Sequence, residues 1–132
     1  GGIAAALATE ELTHIEKLVL IAPATETPRA IDNFYQFVPL GNTVKEAMIE
    51  YIIELAQQPL SYFSVVRSVQ QHTTPTLWLH DEGDWICPYE DVLPAQQLQL
   101  QHVEFYITKG LGHSKIYRDA KVTKKIIDFM HG

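Results

Sequence analysis

The chain has 132 residues, 46% of them hydrophobic and 20% charged, and a formal net charge of -6. That size fits one globular domain and leaves little room for a second. No basic run is longer than Lys124-Lys125, so phosphate backbones repel this surface and nucleic acid is not an expected partner.

Residues 3–12 are rich in Ala and Leu, strong helix formers, and predict a helix that starts almost at once. Lys17 to Ala22 is a continuous apolar run ended by Pro23, the pattern of a strand buried on both faces of a parallel sheet. Residues 23–42, punctuated by Pro23, Pro28, Pro39 and Gly41, predict irregular chain. Thr43-Val44-Lys45-Glu46 matches a capping box. Ala47, Met48, Tyr51, Ile52 and Leu55 follow at helical spacing and predict a helix over 44–57, ended by Pro59. Leu60 to Val69 predicts a second helix with Phe63, Val66 and Val69 on one side.

Thr76 to His80 reads as a second strand, and Asp81-Glu82-Gly83-Asp84 as a loop at its carboxyl end. Pro88 suits the first position of a helix. Pro94 makes that helix kink or begin late. His102 to Thr108 alternates like a third strand, and Lys109 to His113 forms a second loop. Asp119 is placed to cap a final helix with Val122, Ile126, Phe129 and Met130 on its apolar side. This alternation predicts an α/β fold with a parallel sheet and right-handed crossovers. Three strands make a thin sheet for this length, which suggests that part of the domain is absent.

Cys87 is the only cysteine, so no intrachain disulfide is expected, in keeping with a reducing, cytoplasmic compartment. No apolar stretch is long enough to span a bilayer, and no basic residues precede the apolar opening as in a signal peptide. The chain opens Gly1-Gly2-Ile3-Ala4-Ala5-Ala6 without Met. A trimmed terminus or tag scar explains this as well as a chain that starts inside a domain.

Open parallel sheets bind ligands beyond the carboxyl ends of their strands. Both loops at that edge carry titratable groups: Asp81, Glu82 and Asp84 in the first, His113 in the second. An acid and a histidine from neighbouring strand ends can form the orienting half of a nucleophile–His–Asp triad. His80-Asp-Glu-Gly-Asp84-Trp-Ile-Cys-Pro88 resembles the acid loop of α/β-hydrolases, and Gly110-Leu-Gly-His113 resembles their histidine loop. The order, acid before histidine, is that of the family. Gly1-Gly2 and the Ala-rich helix are similar to the end of a nucleophile elbow and the helix after it, which would place the serine two residues before Gly1.

The resemblance implies a partial α/β-hydrolase fold over residues 1–132, three parallel strands with flanking helices and a helical cap inserted at 24–72. It implies the C-terminal part of a serine hydrolase of ester or related acyl bonds, with Asp84 as acid, His113 as base and no metal or organic cofactor. The expected partner is a small acyl or ester substrate. Without the nucleophile the 132 residues are expected to be inactive, and strand 17–22 to self-associate through an unpaired edge. A non-catalytic binding protein on the same fold is the alternative, and a small complete α/β interaction domain a further one.

Plainer readings stand beside these. Asp84 could be a turn residue, Asp81 could replace it as acid, and His113 could be a loop histidine without a task. Glu82 reads as a solvated charge, and His80 as a strand end bonded locally. His14, His72, His102 and His131 read as surface or element-end residues. His80, Asp81, Asp84 and His113 offer metal-type donors, but no H-x-x-x-H or H-E-x-x-H pair occurs. No G-x-G-x-x-G occurs either. Cys87 reads as a structural thiol. Phe34, Tyr35, Phe37, Tyr51, Tyr62 and Phe63 line a substrate pocket or form the cap's own core, and the sequence leaves both open.

Overall fold

The computed structural model describes all 132 residues. In chain order it has α1 (Gly2–Glu11), β1 (Leu18–Ile21), α2 (Thr27–Phe37), α3 (Asn42–Ala56), α4 (Val65–Ser68), β2 (Thr76–Asp81), α5 (Leu93–Gln97), β3 (Val103–Thr108), α6 (Gly112–Lys115) and α7 (Ala120–His131). The three strands form one parallel sheet in the order β1-β2-β3. β1 pairs on one side only.

Side-chain alternation divides the core between the two sheet faces. Leu18 and Leu20 of β1, Trp78 of β2 and Val103 of β3 pack on one face with Ala6, Val65, Val69, Val92 and Ala95. Leu77 and Leu79 face the other way, against Ile116 and Val122, with Val19, Ile21 and Tyr106 beside them. β2 is buried along its whole length, whereas β1 alternates between buried and half-buried residues. Asp119 caps α7 as expected: its carboxylate accepts the N–H groups of Lys121 and Val122.

Several expectations need correction. The stretch 23–42 is not irregular, since α2 occupies much of it. Pro28 stands within the first two helical positions, where its missing N–H costs nothing and its fixed φ suits the helix. Contacts distant in sequence anchor this start: the Thr27 hydroxyl donates to the Phe63 carbonyl at 2.7 Å, and the Ser64 hydroxyl donates to Glu26 at 2.6 Å. The Thr43–Glu46 capping box does not form. Gly41 is the cap, and its carbonyl accepts from the N–H of Val44 and Lys45. The helix expected over 60–69 is two pieces, a 3₁₀ turn (Leu60–Tyr62) and α4. Ser64 breaks them apart, because its hydroxyl accepts the Arg67 N–H and starts a new turn.

The stretch 24–72 ends in core residues: Val65 and Val69 are fully buried against Ala6 and Trp78. Its middle stands proud: α3 buries no residue completely, and Val44, Tyr51 and Leu55 are exposed. No helix is long and apolar enough to cross a membrane.

Candidate active site

β2 and β3 end side by side, with Asp81 opposite Thr108. Asp81 thus ends the strand and does not belong to the loop. The Glu82 N–H adds one more rung to the Thr108 carbonyl at 2.9 Å, and the chain then turns, with the Asp84 N–H on the Asp81 carbonyl at 3.1 Å. The turn aims the Asp84 side chain inward, where it is fully buried. One carboxylate oxygen, Oδ1, accepts the N–H of Ile86 at 2.9 Å and of Cys87 at 2.8 Å. The other, Oδ2, lies 2.8 Å from Nδ1 of His113.

His113 stands in the first turn of α6 and not in the loop assigned to it from sequence. The chain reaches it through Gly110 and Gly112, both at positive φ (+79° and +61°), where a side chain is strained. Because a carboxylate can only accept, Nδ1 carries the shared proton. Nε2 forms no hydrogen bond within the chain. The imidazole is 25% exposed, so Nε2 can be met from outside.

Two neighbours complete the turn, and their roles were not legible from residue type. His80, fully buried, donates from Nε2 to the Cys87 carbonyl at 2.7 Å, with Asp84 Oδ2 3.7 Å away. The local bond was expected, but not that it braces the acid turn from behind. Asp81 shares no hydrogen bond with His113. Its carboxylate accepts from Gly83, Leu111 and the Thr108 hydroxyl, so it does not take the place of Asp84 beside His113. Burial pushes the Asp81 carboxyl up, but hydrogen bonds from Thr108, Leu111, Gly112 and Gly83 outweigh it and hold the carboxyl below its usual range.

No three His, Cys, Asp or Glu side chains converge as metal ligands do. His80 and Asp81, two of the four donors considered, are committed to backbone groups. The Cys87 thiol is pushed up to about 11 by burial, then by the negative charges of Asp84 and Asp91. It stays a thiol at neutral pH, consistent with a structural part and not a nucleophile's. Glu82 is an exposed charge 3.5 Å from Lys109. His102 donates from Nε2 to the Val69 carbonyl at 2.8 Å, just before β3 begins and so at the opposite end of the strand from the site.

The start of α1 lies at the same sheet edge. A Cβ on Gly2 would sit 2.6 Å from Cβ of Pro23, just past the end of β1. Tyr117 bridges from there toward the histidine: its hydroxyl donates to the Ile21 carbonyl at 3.1 Å, and its ring centre is 6.1 Å from that of His113. A cavity of about 270 Å³ opens beside the acid turn, between Ala30, Phe34 and Phe37 of α2 and Ile86, Cys87 and Pro88. Asp91 borders it, paired with Arg29 at 2.6 Å. The question left open for the aromatics divides: Phe34 and Phe37 line the cavity, Tyr62 and Phe63 meet edge to face, and Tyr35 contacts Phe34 and Met48. Tyr51 is exposed.

No protein-family model matches the sequence, and no curated protein does. Solved structures do match. An esterase of Pyrococcus furiosus superposes with a TM-score of 0.70 at 14% identity, over 99% of this chain and 49% of that one. An α/β-hydrolase enzyme from a Medee basin deep-sea metagenome library gives 0.66 at 20% identity, over 100% and 62%. An acetyl xylan esterase from a Paenibacillus species gives 0.61 at 18% identity, over 96% and 42%. The fold is that of the α/β-hydrolases, and the chain spans roughly half the length of these structures.

Proposed function

We propose that this chain supplies the acid and the base of a serine hydrolase that cleaves esters or related acyl bonds. The observation that carries the reading is the 2.8 Å contact between Asp84 Oδ2 and His113 Nδ1, with the acid fully buried and held by two further N–H groups. Asp84 fixes the tautomer and stabilises the imidazolium. His113 Nε2 takes the proton of a serine hydroxyl and returns it to the leaving group. The serine belongs two residues ahead of Gly1, as the tight approach of Gly2 to Pro23 supports. The aromatic cavity under α2 holds the apolar part of the substrate. The lone, half-buried thiol of Cys87 supports a reducing, cytoplasmic setting.

The 132 residues on their own are expected not to turn over p-nitrophenyl esters, since no Ser, Thr or Cys side chain bonds to the His113 imidazole. Removing a nucleophile costs about a millionfold in a comparable triad. The longer protein that includes the preceding elbow is expected to be labelled by a fluorophosphonate probe, and His113→Ala to abolish the labelling. Labelling that survives His113→Ala would refute the assignment. Ester turnover by the 132 residues that His113→Ala abolishes would instead overturn the expectation that the nucleophile lies outside them. An elbow without serine favours the binding-protein reading instead.

A further inference from the structure

We propose that Asp81 is the positioning residue of this site: its carboxylate clips the loop between β3 and α6 onto the turn after β2, and so sets the reach from Asp84 to His113. The inference rests on the Asp84–His113 pairing proposed above. Asp81 is fully buried at the last position of β2. Its Oδ1 accepts the N–H of Gly83, next to Asp84, at 2.9 Å. Its Oδ2 accepts the Thr108 hydroxyl at 2.7 Å and the N–H of Leu111, two residues before His113, at 3.0 Å. One carboxylate thus ties together both segments that leave the sheet edge.

The histidine segment needs such a tie. Lys109 and Gly110 are exposed, and two glycines at positive φ give this stretch many alternative conformations. The carboxylate's chemistry is also specific. Every group facing it can donate, and its oxygens only accept. An amide at this position offers a single oxygen. Turned to Leu111, it sets its NH₂ against the Gly83 N–H; turned to Gly83, it sets its NH₂ against the Leu111 N–H. The Thr108 hydroxyl can reverse its role, but the backbone groups cannot. Asp81→Asn therefore leaves one backbone N–H facing another donor, whichever way it turns.

The test follows the Nδ1–H proton of His113 by ¹⁵N–¹H NMR of the 132-residue chain. In the wild type this proton is sheltered in its bond to Asp84 and exchanges slowly with water. In Asp81→Asn its exchange is expected to be about tenfold faster while the protein is folded, the scale of one lost hydrogen bond. Val69→Ala, on the opposite side of the core, destabilises without touching the clip and should leave that exchange unchanged. Thr108→Val, which removes only the hydroxyl bond, should accelerate it by less. An intact, slow Nδ1–H in Asp81→Asn overturns the clip and leaves the pairing standing. A wild type without a sheltered Nδ1–H overturns the pairing itself. If Asp81→Asn does not fold, unchanged exchange in Thr108→Val overturns the clip.

Discussion

Asp84 holds two structures at once, and two substitutions separate them. Oδ1 satisfies the N–H groups of Ile86 and Cys87, while Oδ2 meets His113. Asp84→Asn can keep an oxygen at the Oδ1 place, so the turn survives and the loss of stability is about 1 kcal/mol, one hydrogen bond's worth. Its NH₂ then faces Nδ1 and makes that nitrogen the acceptor. The ring proton moves to Nε2, which blocks the role proposed for His113 as base; the same tautomer error costs about 10⁴ in kcat in a serine protease. Asp84→Ala also strips both N–H groups of their acceptor, at roughly 1–3 kcal/mol each, or about 2–6 kcal/mol together. Urea midpoints of the 132-residue chain read the stability arm, and ester hydrolysis by the longer protein reads the other. The expected pattern is near-native stability with lost turnover for Asn, and loss of both for Ala. An Asn variant that hydrolyses esters within tenfold of wild type refutes the role given to this carboxylate, and equal stability losses in the two variants refute the division of labour between its oxygens.

Other outcomes follow from the same structure. Gly2→Ala drives a methyl to within 2.6 Å of the Pro23 side chain and should cost about 1–3 kcal/mol by overpacking; an unchanged melting temperature contradicts the close approach. His72 has both ring nitrogens buried without partners, and burial, then the charge of His102, lowers its pKa below the ordinary 6.5 against the opposing pull of Glu10. The unfolded chain therefore binds the proton more readily, so stability falls as pH drops below 6.5. His72→Phe should flatten that fall in urea titrations, and a slope identical to wild type excludes His72 as its source. We also propose that the outer edge of β1, paired on one side only, draws copies of the chain together. Light scattering should show association that Val19→Lys relieves, and a wild-type monomer at high concentration argues against it.

The strands were legible because their patterns are local: KLVLIA, TLWLH and the alternation of residues 102–108 each carry their own signal. α2 was not, because Pro28 reads as a breaker until the helix is known to begin beside it, and its anchors at Phe63 and Ser64 lie far along the chain. The Thr43–Glu46 box misled because Gly41 supplies a cap earlier, through its carbonyl and not through a side chain. Asp84 and His113 could be paired in advance since each follows a strand end at a recognisable offset. The parts of Asp81 and His80 depend on which backbone groups face them after the turn closes, and no spacing rule encodes that.

The pairing of residues 84 and 113 is most directly read from the imidazole ¹⁵N shifts of His113, in the wild type and in Asp84→Asn. The structure predicts a ring protonated at Nδ1 in the wild type and at Nε2 in the variant. A wild-type ring protonated at Nε2, indifferent to the change at residue 84, would contradict it.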